Sequence, residues 1–157
     1  MNKQSEGASQ KPNPIFEYFA PLVGEWDTLG SHPLIPSALH GHSSFEWLEG
    51  QALLRWHAVF ERAGEQPGPP QAVSVIGGDD TLEVYHMLYC DERGVSRIYE
   101  TSLKDGTWRF WREAPGFSQR YTATFSADGN TIVGHGELSR DNSTWEQDLD
   151  VTYTKIR

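Results

Sequence analysis

The chain has 157 residues, a formal net charge of -9 and one cysteine, and it carries six tryptophans, six tyrosines and seven phenylalanines. The length suits one domain with a sizeable core. The lone cysteine rules out an internal disulfide, and an acidic chain without a Lys/Arg run is a poor match for nucleic acid.

Taken in order, residues 1–12 are polar and predicted to form a disordered tail, leaving 13–157 as one domain. The N-terminal stretch lacks an apolar signal core, and no later stretch approaches a membrane span. The expectation is a cytoplasmic protein with no membrane partner. Asn13-Pro14 reads as a helix start, and Ile15, Phe16, Phe19, Leu22 and Val23 form a short apolar stripe. Pro21 limits this helix to one or two turns, placed to cap one end of a sheet.

Gly24-Glu25-Trp26 opens the first strand, and residues 30–40, with Pro33 and Pro36, predict a loop or lid. Two strands follow, joined at 48–51. Pairing Trp47 with Ala52, Phe45 with Leu54 and Ser43 with Trp56 puts Ala58 and Phe60 on the same apolar face, with Arg55 and His57 opposite. Residues 61–71 are a second Pro/Gly-rich loop, and Ala72 begins another strand. Gly77 to Asp80 reads as a turn, because no helix follows to make it a phosphate loop.

Residues 81–125 organise the chain: short β-branched and aromatic runs alternate with turn clusters, as in consecutive antiparallel strands. Asp105-Gly106 suits a two-residue hairpin turn. It sets Leu103 against Trp108, Thr101 against Phe110 and Tyr99 against Arg112. A four-residue turn at 91–94 would pair Cys90 with Val95, Leu88 with Arg97 and His86 with Tyr99. The inward face then holds His86, Leu88, Cys90, Arg97, Tyr99, Trp108, Phe110 and Arg112. Asp128-Gly129 pairs Phe125 with Ile132, and Asp141-Asn142 pairs Leu138 with Trp145. These turns extend the inward set through Gln119, Tyr121, Trp145, Gln147 and Tyr153 and leave Asp148 on a solvated face. The sum is an all-β, up-and-down antiparallel barrel of about nine or ten strands with a short N-terminal helix.

The stretch Leu22-Val23-Gly24-Glu25-Trp26 resembles the Gly-x-Trp entry of lipocalin-like (calycin) barrels. That resemblance implies a Trp closing the barrel base beside a basic residue of the last strand, here Lys155 or Arg157. Gly30, Pro33, Pro36 and Phe45-x-Trp47-Leu48 look like the nitrobindin side of the group. The stretch RIYETSLKDGTWRFWREAPGFSQRYTATF is similar to a bacterial lipocalin-like family. Nitrobindin-like proteins use a late histidine as haem ligand. The late histidine here is His135, which parity opposite Thr122 places outward.

The candidate ligand-binding residues are therefore Trp56, His86, Arg97, Tyr99, Arg112, Gln119, Tyr121, Trp145 and Gln147. Two inward guanidinium groups with no inward Asp or Glu predict a wet, electropositive pocket, since an unpartnered buried charge costs several kcal/mol. The partner class is a small, partly apolar molecule that is anionic or bears a carbonyl. The alternatives are an enzyme with His86 as general base and Arg97 or Arg112 stabilising negative charge, and a haem protein. No cofactor can be named. His32, His40 and His42 match no zinc spacing, and Cys90 reads as a small buried residue. Trp111, Tyr85, Met87 and Tyr89, taken as outward, would form an apolar homodimer surface.

Overall fold

The structure, a computed structural model, describes residues 14–48, 51–62, 68–79 and 81–157. The expectations for the tail 1–12, the Asn13 cap, the Ile15 and Phe16 side chains and the middle of the 61–71 loop lie outside the described residues. Asp80 and the centre of the 48–51 loop lie outside them too.

Ten strands form a closed antiparallel barrel: β1 (Gly24–His32), β2 (Ile35–Trp47), β3 (Leu54–Phe60), β4 (Ala72–Asp79), β5 (Val84–Asp91), β6 (Ser96–Lys104), β7 (Thr107–Arg112), β8 (Ser118–Phe125), β9 (Thr131–Ser139) and β10 (Glu146–Lys155). Each strand pairs with its successor, and β1 closes the ring against β10. Closure satisfies the ladder groups that an open sheet would leave bare at its edges. This is the lipocalin-like architecture expected.

One end is plugged. Pro14–Leu22 forms a 3₁₀ helix, with Pro21 near its end, that lays buried Phe19 and Leu22 across the base. Trp26 is fully buried, and its Nε1 donates to Leu22 O at 2.9 Å. Lys155 Nζ donates to Val23 O at 3.1 Å and lies 5.1 Å from the Trp26 ring centroid. The basic residue beside the entry tryptophan is thus Lys155.

The register of β6 through β9 follows the turn chemistry. Leu103 faces Trp108, Thr101 faces Phe110, Phe125 faces Ile132 and Ala123 faces Gly134. Elsewhere the structure corrects the expectation. Between β2 and β3 the register slides by two residues, with Trp47 opposite Leu54, Phe45 opposite Trp56 and Ser43 opposite Ala58. A two-residue slide preserves parity, so the same side chains stay inside.

Between β5 and β6 the slip is one residue, and it inverts β5. Tyr89 faces Arg97 and Met87 faces Tyr99. The loop has three residues, with Gly94 N donating to Asp91 O, Asp91 N to Val95 O, and Gly94 at φ 85°. A tight turn followed by a left-handed residue adds one position compared with a symmetric turn. Met87 is therefore buried and Tyr89 half-buried, whereas His86, Leu88 and Cys90 are exposed. The expected dimer face of Tyr85, Met87 and Tyr89 is thus turned inward, and Cys90 is not buried.

Two further segments differ from expectation. Residues 30–40 form no lid: β1 and β2 run on to a tight turn after His32, with a register irregularity at Gly30/His32. Pro36 is tolerated because it falls within that irregularity, between the Gly30–Leu39 and His32–Ile35 pairs, and takes no ladder position of its own. Gly77, Gly78 and Asp79 continue β4 and do not turn.

Candidate functional site

Away from the plugged base, the barrel holds a cavity of about 540 Å³. Its walls are built from inward positions of successive strands: Trp56, Ala58 and Phe60 from β3, Met87 and Tyr89 from β5, Arg97 and Tyr99 from β6, Phe110 from β7, Gln119 and Tyr121 from β8. Asp148, Leu149, Val151 and Tyr153 from β10 complete it. His32 and Leu34 at the β1–β2 turn, with Pro69 and Pro70, reach its mouth.

The aromatic wall is continuous. Trp56 stacks on Phe45 at 5.3 Å and meets Trp108 edge-on at 5.2 Å, and Phe110 stacks on Tyr121 at 4.8 Å. Trp56 Nε1 donates to Ser43 Oγ at 3.1 Å, and Trp108 Nε1 donates to Thr101 Oγ1 at 3.1 Å. Trp108 lies fully buried behind this wall.

Across the mouth runs a polar chain. Tyr99 Oη donates to Gln119 Oε1 at 2.6 Å, and Gln119 Nε2 donates to Asp148 Oδ2 at 3.2 Å. His32 Nε2 meets Asp148 Oδ1 at 3.1 Å, while His32 Nδ1 accepts from Leu34 N at 3.1 Å. An accepting Nδ1 puts the ring proton on Nε2, which donates it to Asp148. The expectation of an interior without a carboxylate is thereby corrected. A register irregularity between Gln147 and Asp150 on β10 turns Asp148 to the cavity.

Three arginines line the cavity, and their surroundings differ. Arg93 Nη2 pairs with Asp91 Oδ2 at 2.8 Å, and the Asp91 side chain is wholly buried. Arg93 holds the Asp91 carboxyl well below the usual carboxylate range, and Tyr89 Oη donates to the same oxygen at 2.6 Å. Arg120 pairs with Glu137 at 2.8 Å and lies 3.8 Å from the Trp145 ring centroid. Arg97 has no ion-pair partner among the described residues. Its Cζ lies 4.8 Å from the Phe117 ring centroid, beside Tyr99. Burial pushes the Tyr99 hydroxyl up, with Arg97 and Arg112 acting in the opposite direction.

Of the residues singled out from sequence, Trp56, Arg97, Tyr99, Gln119 and Tyr121 meet in this cavity. Arg112 does not line it: it sits in an adjoining outer groove and donates to Phe117 O at 3.0 Å. His86 is exposed on the outer wall opposite Glu100, which removes the general-base role built on it. Trp145 lines that outer groove, where it covers Arg120, which borders the cavity as well, and Gln147 is exposed and donates to Asp150 at 3.2 Å. Leu138 stands opposite Glu146 and not Trp145, and this one-residue slip at the β9–β10 turn moves both off the inner face. Met87, Tyr89 and Arg93 escape the sequence reading because a symmetric four-residue turn at 91–94 puts β5 one residue out of phase, and Asp91-x-x-Gly94 is the signal for the three-residue loop. His32 and Asp148 depend on the β1–β2 extension and the β10 irregularity, which no motif marks.

The residues present do not fit a histidine-ligated haem. His135 is exposed and bonded to Asp150 at 2.6 Å, and the cavity's own imidazole, His32, has both nitrogens engaged. His42 is bonded to Glu25 at 2.6 Å, and no group of three or more potential metal ligands occurs among the described residues.

No family model matches the chain, and neither does any curated protein sequence. Solved structures do match. Rv2717c from M. tuberculosis superimposes with a TM-score of 0.64 at 12% identity, covering 94% of this chain and 100% of that one. The S-type phycobiliprotein lyase CPES from Guillardia theta superimposes with a TM-score of 0.59 at 12% identity, covering 99% of each chain. At that identity the likeness is one of fold, and the fold is a lipocalin-like barrel.

Proposed function

We propose that the protein is a small-molecule binding protein whose ligand sits inside the barrel. The ligand is a partly apolar molecule that meets Arg97 with an anionic group or a polarised carbonyl. The carrying observation is the contrast among the cavity's arginines: Arg93 and Arg120 have carboxylate partners, while Arg97 has none among the described residues. A guanidinium in a largely apolar enclosure gains most from a planar anion, which it holds by two parallel hydrogen bonds. Trp56 and Phe110 supply flat faces for the apolar body.

Calorimetric titration with 2-naphthoate tests this reading. Arg97→Gln is expected to weaken binding by about tenfold or more, the scale of one lost charge-assisted contact. Arg109→Gln, on the exposed outer face of β7, is the control and should bind as the wild type does. Equal affinity of the Arg97 variant and the wild type would remove the proposal.

A cytoplasmic location accords with the exposed free thiol of Cys90. No helix among the described residues is long and apolar enough to cross a membrane. A homodimer would use the outward Leu88 and Ile98, 51% and 65% exposed and paired across β5 and β6. Sedimentation showing only monomer at micromolar concentration would remove that partner.

A further inference from the structure

The deep end of the cavity is polar where it need not be. Tyr121 Oη and Tyr153 Oη lie 3.1 Å apart, both side chains are buried, and both line the cavity. Two hydroxyls that share one hydrogen bond still have one O–H without an acceptor. Thr28 stands opposite Tyr153 across β1 and β10, and its buried Oγ1 has no hydrogen-bond partner among the described residues. Phenylalanine would fill the same aromatic volume without burying a hydroxyl. The neighbouring strand instead makes room for one: a Cβ at Gly134 would overlap Tyr121 Oη. Burial also pushes the Tyr153 hydroxyl up to about 12, so it is a neutral donor at any physiological pH.

The separation from Arg97 is set by register. Tyr121 faces Phe110, and Phe110 faces Thr101, four residues further along β6 than Arg97. At about 3.3 Å per residue that is about 13 Å of strand, shortened along the barrel axis by strand tilt. The face of Phe110, stacked on Tyr121, lies in between.

We infer that the ligand is an elongated aromatic acid carrying a hydroxyl or carbonyl oxygen at the end remote from its acid group, with that oxygen seated on the Tyr121–Tyr153 hydroxyl pair. The inference rests on Arg97 as the anion anchor and adds a second, neutral anchor. The two set the length and polarity of the ligand together.

The full chain is titrated with 6-hydroxy-2-naphthoate, 2-naphthoate and 2-naphthol by calorimetry. The hydroxy acid is expected to bind the wild type about tenfold more tightly than 2-naphthoate, the upper range for one net hydrogen bond. Tyr121→Phe and Tyr153→Phe, which keep the rings, should abolish that preference, so that within each variant the two acids bind alike. Arg97→Gln should weaken both acids and spare 2-naphthol. Equal wild-type affinity for the two acids overturns the inference without requiring any variant to fold. A preference that survives in both Phe variants overturns it as well. If instead Arg97→Gln binds both acids normally, the anion anchor fails separately. Absence of binding by all three probes at millimolar concentration removes both.

Discussion

Arg97 is a charge with no ion-pair partner among the described residues, although the Asp148 carboxylate faces the same cavity. Its visible partner is the face of Phe117, an interaction of about 0.5–1 kcal/mol at a partly solvated site. Arg97→Gln should therefore lower stability by no more than about 1 kcal/mol in chemical denaturation, and a collapse of the fold would show that the residue is structural. The tyrosines respond to pH in the opposite way from carboxylates. An unfolded tyrosine ionises near pH 10, while burial raises Tyr153 to about 12 and Tyr121 well above its usual value. Their contribution is complete below about pH 10 and is lost as pH rises toward about 12. Tyr153→Phe should show a shallower alkaline loss of stability than the wild type, and identical alkaline limbs would contradict the assigned burial. At this scale the sequence was partly legible. Arg97, Tyr99, Gln119 and Tyr121 follow from the parity fixed by Asp105-Gly106. His86, Trp145 and Gln147 do not, because their parity was carried across turns of another kind.

Elements explain those failures. In a strand, one residue of slip exchanges the two faces completely, so an error in a turn propagates along its whole strand. The β5–β6 turn is held by Asp91, whose Oδ1 accepts from Arg93 N at 2.9 Å, and by Gly94 at φ 85° with nothing near its missing Cβ. Gly94→Ala should cost about 1–2 kcal/mol from backbone strain alone, read as a shift in the denaturant midpoint, and no shift would show that the loop adopts another form. Asp91 has a folded-state pKa below its unfolded one, so its stabilisation is present above about pH 4 and fades as pH falls. Asp91→Asn should be less stable at neutral pH and should lose less on acidification than the wild type does. A parallel acid limb would mean that the Arg93 pair contributes nothing. The β10 irregularity has no comparable sequence mark, and this is why an inward Asp148 could not be read in advance.

At the scale of the molecule, the barrel is plugged at its base and hollow toward its mouth. Trp26 anchors the plugged end through Leu22 O and the Lys155 ammonium. Trp26→Ala should destabilise the chain by about 3–5 kcal/mol, as for other fully buried aromatics, and a negligible change in thermal midpoint would show that the base closes without it. Strand number and sequential order were legible because turn residues punctuate the apolar runs at short intervals. The hollow interior was legible only indirectly, through arginines at inward parity. The most direct test is a crystal of the full chain soaked with 6-bromo-2-naphthoate, located by bromine anomalous scattering. The account predicts a bromine peak inside the barrel near Phe110 and Tyr121, with the carboxylate against Arg97. A peak only on the outer surface, or an interior filled by the protein's own side chains, would contradict it.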